Sequence, residues 1–175
     1  MEKPGHRALR RGRVSIPSAR YFLTFVTKDR HQGLASERMF QRMVQDLPDV
    51  PCETLALMVM PDHLHWLVRL IPESSLSETV RLFKGRLSPE LRRLGLSWQK
   101  GAYHDRRLRP DDELAPFLRY MLCNPYRAGL LKIEAQWPYW YLAENVAAWF
   151  EPTTDEGRPY PEWLRECAEP PWEAE

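Results

Sequence analysis

Five histidines occur in the 175 residues, and two of them, His63 and His65, flank a single leucine in "VMPDHLHWLVRL" (Val59–Leu70). Side chains on an extended strand alternate between faces, so His63, His65, Leu67 and Arg69 share one face while Leu64, Trp66, Val68 and Leu70 share the other. The second face is wholly apolar and has to pack against helices. The first presents two imidazoles side by side, a spacing that lets both reach one metal ion. Two hydrogen-bonded histidines would show the same spacing, so the pair by itself leaves both readings open. A second constellation lies in "RYMLCNPYRAGLL" (Arg119–Leu131). Leu114, Phe117, Leu118, Met121 and Leu122 recur at helical spacing and define a buried stripe. Tyr120 and Asn124, four residues apart, lie together along one flank of it. A phenol and an amide oxygen are then offered together at the border of the core, although a boundary tyrosine followed by a helix-ending asparagine fits the spacing equally.

The elements that position these residues follow from periodicity. "RYFLTFVTK" (Arg20–Lys28) is aromatic and β-branched and reads as a first strand. "SERMFQRMVQDL" (Ser36–Leu47) reads as a first helix, capped by Ser36 and ended by Pro48. "ETLALMVM" and "LHWLVRL" form a strand pair joined tightly around Pro61–Asp62. "SLSETVRLFKGRL" (Ser75–Leu87) is a second amphipathic helix, and "SWQKGAYHDRRL" (Ser97–Leu108) a short strand or irregular segment. "DDELAPFLRYMLCN" (Asp111–Asn124) is a third helix, opened by acids that suit its positive end and closed before Pro125. The order β-α-β-β-α-β plus a helix predicts an α+β, ferredoxin-like antiparallel sheet with the third helix added.

Composition sets the boundary conditions. Hydrophobic residues form 43% and charged residues 28% of the chain, and no apolar run approaches the roughly 20 residues that cross a bilayer. No apolar segment follows "MEKPGHRALRRGR", as a secretory signal would require. Cys52, Cys123 and Cys167 are odd in number and far apart, which argues against a disulfide framework or a cysteine zinc site. The expectation is a cytoplasmic protein without a membrane partner. Net charge is only +1, yet residues 1–30 carry +6 and residues 151–175 carry −6. A basic arm over residues 1–19 suits a polyphosphate partner. A solvated terminus, or an acidic tail folded onto the arm, accounts for the same charges. Residues 20–150 then form the domain, and residues 151–175, with five prolines, an acidic tail.

"MPDHLHWLV" together with "YMLCNPYRAGLL" resembles the paired signature of the REP-associated tyrosine transposases, relatives of the single-tyrosine HUH transposases of small insertion sequences. "WQKGAYHDRRLR" and "QWPYWYL" resemble that family's connecting segments, and the likeness spans about Tyr21 to Trp140. The resemblance implies an HUH nuclease fold in which the His-hydrophobic-His strand binds a divalent metal and a helical tyrosine attacks single-stranded DNA. Carried over by position, His63 and His65 are metal ligands, Asn124 is the third, and Tyr120 is the nucleophile. It also implies a 5′-phosphotyrosine intermediate, a free 3′-OH and a hairpin-forming repeat as substrate, with the protein a monomer or a homodimer. Tyr126, after Pro125, departs from the family's usual aliphatic residue, and roles for His104 and Asp105 stay open.

These residue types suit the reaction. A phosphodiester's charge repels a nucleophile, and a metal on its oxygens neutralises that charge and aligns the phosphorus. Two imidazoles alone favour zinc or another late transition metal, whereas an amide oxygen, water and phosphate favour Mg²⁺ or Mn²⁺, the choice the resemblance supports. DNA contacts are expected from Arg7, Arg10, Arg11 and Arg13 of the arm and from Arg81, Lys84 and Arg86 of the second helix. Two other readings use the same fold: a hairpin-binding protein that does not cleave, and a metal-dependent hydrolase that uses water.

Overall fold

The computed structural model describes residues 15–150, 154, 157–167 and 169–171. Arg7, Arg10, Arg11 and Arg13 lie outside the described residues. Strand β1 (Arg20–Thr27) leads to helix α1 (Glu37–Asp46), the strand pair β2 (Cys52–Val59) and β3 (His63–Leu70), helix α2 (Leu76–Arg93) and strand β4 (Trp98–Arg107). Helix α3 (Ala115–Arg127), strand β5 (Trp140–Leu142) and two single-turn helices, α4 (Glu144–Ala147) and α5 (Trp163–Glu166), complete it. The sheet order is β4-β1-β3-β2-β5 with every neighbouring pair antiparallel. This is the expected ferredoxin-like arrangement, extended by β5 outside β2.

The two faces of β3 do what their alternation requires. Leu64, Trp66, Val68 and Leu70 join Leu23 and Phe25 of β1 in a core closed by Met39 and Met43 of α1 and by Val80, Phe83, Leu87 and Leu91 of α2. Trp66 and Phe83 stack with ring centroids 4.2 Å apart, and truncating such a buried aromatic costs about 3–5 kcal/mol. The opposite face, with Phe22, Met58 and Leu67, is covered by Phe117, Leu118 and Met121 of α3. The sheet is therefore sandwiched, α1 and α2 on one side and α3 on the other. A bulge between Thr54 and Ala56 slips the register of β2 against β3, so Leu55 and Ala56 both reach the α3 side.

Several boundaries differ from those expected, each for a local reason. Asp111–Glu113 do not open α3. The Asp112 carboxylate accepts the Arg109 N–H at 2.7 Å, and Arg20 donates to the carbonyls of Arg109, Pro110 and Asp112 at 3.0, 3.0 and 2.9 Å. That segment is a clamped turn, and the helix starts after Leu114 with a proline in its first turn. Nor does Pro125 end α3. It forfeits one backbone bond in the last turn only, and the helix closes beyond it: Gly129, at φ 68°, donates to Tyr126, and Leu130 to Pro125, both at 3.0 Å. Helix α2 runs past Leu87 to Arg93 through Pro89. Pro89 lacks the N–H that would bond to the Gly85 carbonyl, so the helix passes it at the loss of one backbone bond. The segment expected as short or irregular is the ten-residue edge strand β4. Ser75 caps α2 through Glu78 N–H at 3.2 Å, whereas Ser36 occupies the cap position of α1 without a side-chain bond.

Candidate active site

Strand β3 and helix α3 bring His63, His65, Tyr120 and Asn124 together on the α3 side of the sheet. The His63 and His65 rings lie 5.0 Å apart between centroids, and His65 and Tyr120 5.7 Å apart. Asn124 reaches His65 directly, its amide 2.9 Å from Nε2. Four residues on a helix are about 6 Å of rise, so Tyr120 and Asn124 address neighbouring sides of the same imidazole. Phe22 packs under both rings, with centroids 5.1 Å from His65 and 6.2 Å from Tyr120. The Arg127 guanidinium stands 5.7 Å from the Tyr120 ring centre.

Each imidazole is held through its Nδ1. His65 Nδ1 lies 2.9 Å from Thr24 Oγ1 on the adjacent strand, and His63 Nδ1 lies 2.6 Å from the Asp62 carboxylate. With Nδ1 engaged, Nε2 is the remaining ring nitrogen in both cases, the arrangement by which outer partners orient metal-binding histidines; on His65 it meets the Asn124 amide in this structure, a contact that an ion at Nε2 would replace. Burial, and next to it His63, push His65 well below the ordinary imidazole range, so it is neutral at pH 7 with a lone pair to give. Burial works to raise the Asp62 carboxyl, but the hydrogen bonds and charges of His63 and Arg30 outweigh it and hold the group below its ordinary value. Among the described residues no three His, Cys, Asp or Glu side chains gather around a common point. A donor set of two imidazole nitrogens and an amide oxygen nevertheless fits a divalent ion with positions left for water or phosphate.

Thr24, Asp62 and Arg30 were not among the residues singled out from sequence. Arg30 donates to Asp62 at 2.9 Å from a loop in which Asp29 and Arg30 both take left-handed backbone angles, φ 55° and 53°. Two successive non-glycine residues there are strained. The loop is latched to the Pro61–Asp62 turn by Leu34 N–H to Pro61 O at 2.8 Å and by Thr27 to Asp62 O through both its N–H and its hydroxyl, at 2.9 Å each. The "PDH" tripeptide was the available signal, since an acid beside a ligand histidine is a common orienting device.

The basic residues of α2 do not join this cluster. Helix α2 covers the other side of the sheet, where Arg86 binds Asp49 at 2.8 Å and Asp46 at 3.7 Å. Lys84 lies 5.6 Å from the ring centres of Phe25 and Trp98, and Arg81 is exposed. Arg86 and Lys84 tie α2 to its neighbours. Tyr126, the second phenol, is buried and donates to Ala135 O at 2.9 Å. Burial raises its pKa above the ordinary 10, the wrong direction for a nucleophile. On β4, His104 pairs with Thr24 and so shares the face of His65, whereas Asp105 pairs with Leu23 on the other.

An α+β sheet in this strand order, with two histidines on an inner strand beside a helix that carries a tyrosine, is the arrangement expected from the resemblance to the tyrosine transposases. A solved REP-associated tyrosine transposase bound to a REP hairpin shares the fold, with a TM-score of 0.61 at 22% identity over 73% of this chain and 79% of that one. A Haemophilus influenzae protein assigned as a REP-associated tyrosine transposase is 27% identical, over 79% of this chain and 88% of the relative. The model of the family "Transposase IS200 like" matches residues 15–106, and the chain belongs to that family. No helix among the described residues is long and apolar enough to cross a membrane.

Proposed function

We propose that this transposase nicks single-stranded DNA beside a hairpin-forming repeat and transfers the strand through a phosphotyrosine on Tyr120. The observation that carries the reading is the convergence of one phenol, two oriented imidazoles and an amide from two elements, with His65 and Asn124 59 positions apart in sequence. His63, His65 and Asn124 would hold a divalent ion, Mg²⁺ or Mn²⁺, the imidazoles through their Nε2 atoms and the asparagine through its amide oxygen. When bound, that ion neutralises the scissile phosphate and favours ionisation of a nearby hydroxyl. Tyr120 Oη loses its proton to solvent and bonds to phosphorus. The bond from phosphorus to the 3′ oxygen breaks, and that oxygen leaves as a 3′-OH after taking a proton. The phosphate ester is kept, so the reverse attack by a 3′-OH joins strands without an external energy source. Arg127, beside the phenol, adds positive charge where the phosphate arrives. The hairpin-bound structural relative supports hairpin DNA as the substrate form.

The test uses the full chain, Mn²⁺ and a single-stranded oligonucleotide carrying a hairpin. The wild type forms a covalent protein–DNA adduct whose modified peptide contains Tyr120. Tyr120→Phe forms none, and His63→Ala and His65→Ala each lose nicking while remaining folded. Cleavage without an adduct would replace the reading with a water-using hydrolase, and binding without cleavage by the wild type would leave a hairpin-binding protein.

A further inference from the structure

Spacing makes no pair of the three cysteines, but the fold does. Cys123, near the end of α3, and Cys167, which closes α5, meet in a small apolar cluster with Leu122 and Trp163, packed over by Trp140, Tyr160 and Leu164. Both thiols are free, and they hydrogen-bond to each other. Cys52 takes no part. It lies on β2, packed against the core on the α1 and α2 side of the sheet.

Cysteine packs as a small hydrophobe, yet the surroundings of this pair are not purely apolar. Arg119, one helical turn before Cys123, sets its guanidinium 4.6 Å from the Trp163 ring centre, and its Nε is buried without a hydrogen-bond partner among the described residues. The bond from Cys123 and, behind it, the charges of Arg119 and Arg127 outweigh burial and Glu166 and hold the Cys167 thiol below its ordinary value. A thiol beside arginine and a second thiol is one placed to exchange with disulfides. Cys167 is also the outer of the two, 9% exposed against 0% for Cys123. Thiols close enough to share a proton need only small side-chain rotations to bond.

We infer that Cys123 and Cys167 form a reversible disulfide, made by exchange with a small-molecule disulfide, that fastens the C-terminal segment to the helix carrying Tyr120 and Asn124. The Cys167 sulfur attacks one sulfur of the small disulfide, whose S–S bond breaks and releases a first thiolate. Cys123 then attacks the Cys167 sulfur, and the mixed S–S bond breaks to release a second. Each protein thiol gives its proton to one departing thiolate, so two protein thiols are oxidised and one small disulfide is reduced to two thiols. The new bond closes a ring that runs from α3 through β5 and α4 to α5, a cross-link that constrains the unfolded chain more than the folded one. Cys123 directly precedes Asn124, so the fastened end of the helix is the end that presents the amide to His65. The pairing does not depend on the chemistry of Tyr120.

The experiment equilibrates the folded full chain in glutathione buffers from fully reduced to fully oxidised, quenches with acid, alkylates, and maps peptides by mass spectrometry without reduction. One cross-link is expected, joining the peptides of Cys123 and Cys167, with Cys52 left as a thiol. In the oxidised buffer Tm rises by about 5–15 °C and returns when dithiothreitol is added. Cys167→Ser has the same Tm in both buffers, and Cys167→Ala, with no hydroxyl to bury, gives the same control. Cys123→Ala leaves Cys167 capped by glutathione instead of cross-linked. Two unmodified thiols in the oxidised buffer, where the urea-unfolded chain is modified, would overturn the pairing, as would a cross-link through Cys52. A Cys123–Cys167 bond that lowers Tm would overturn the claim that the folded chain already holds the two sulfurs in place.

Discussion

Thr24→Val removes one hydroxyl from the site with almost no change of shape, and it separates folding from metal binding. His65 is 5% exposed, and its Nδ1 has Thr24 Oγ1 at 2.9 Å. With a methyl group in place of that oxygen, the buried Nδ1–H has no partner and no access to water, which costs about 1–3 kcal/mol of folding stability. For a chain of this size that lowers Tm by about 2–12 °C. The imidazole also loses the contact that fixes its tautomer and ring direction, a change that typically weakens metal binding about 10–100-fold. Stability is read from urea melts of the apoprotein. Affinity for Mn²⁺ is read from the free-ion EPR signal at a temperature where the variant is folded, and Thr24→Ser should restore both. Lost stability with a Mn²⁺ dissociation constant within about twofold of wild type would confine Thr24 to the fold and refute its orienting role. No change in either would refute the hydrogen bond itself.

Other outcomes follow from the same geometry. Tyr126→Phe loses the bond to Ala135 O and about 0.5–1.5 kcal/mol of stability, but it keeps the covalent adduct, checked by gel shift under denaturing conditions. Glu90 is held by Arg38 and Arg93. Desolvation acts to raise its carboxyl, yet those two arginines outweigh it and hold the folded value below the ordinary 4.5. Its contribution is therefore present above about pH 4.5 and lost as pH falls through the lower folded value. Glu90→Gln should flatten the decline of the urea midpoint between pH 5 and pH 3. Burial pushes the Cys52 thiol up to about 12, so its modification by a disulfide reagent at pH 8 runs more than about tenfold slower than that of free cysteine, the fall in thiolate outweighing its greater nucleophilicity.

The parts of this structure that were legible in sequence are those fixed by a short period. The two faces of β3 and the stripe of α3 follow from alternation and from the three-to-four spacing of leucine, phenylalanine and methionine, and the tight Pro61–Asp62 connection follows from residue type. What stayed hidden depends on partners far away in the chain. Thr24 looks like any strand threonine until the β1–β3 register sets it beside His65. The acids at 111–113 resemble a helix start, but Arg20, some 90 residues earlier, clamps that turn. Pro125 reads as a terminator because the sequence does not show that Gly129 supplies a better one four residues on. Arg81, Lys84 and Arg86 read as a DNA-facing set, whereas the acids that hold Arg86 belong to the end of α1 and the turn after it.

Helix α3 is gripped on two sides. Phe117, Leu118 and Met121 bind it to the sheet, while Leu122 and Cys123 pack against Trp163 and Cys167 of the C-terminal segment, with Arg119 set 4.6 Å over the Trp163 ring. Handing this helix to another molecule would strip apolar surface from both sides at once. Within this chain the phenol and the imidazoles it meets belong to one polypeptide. On the proposed reading, an adduct yield per protein molecule that stays constant as the enzyme is diluted at saturating substrate is the outcome expected of a monomer. A yield that falls on dilution is that of a homodimer exchanging this helix.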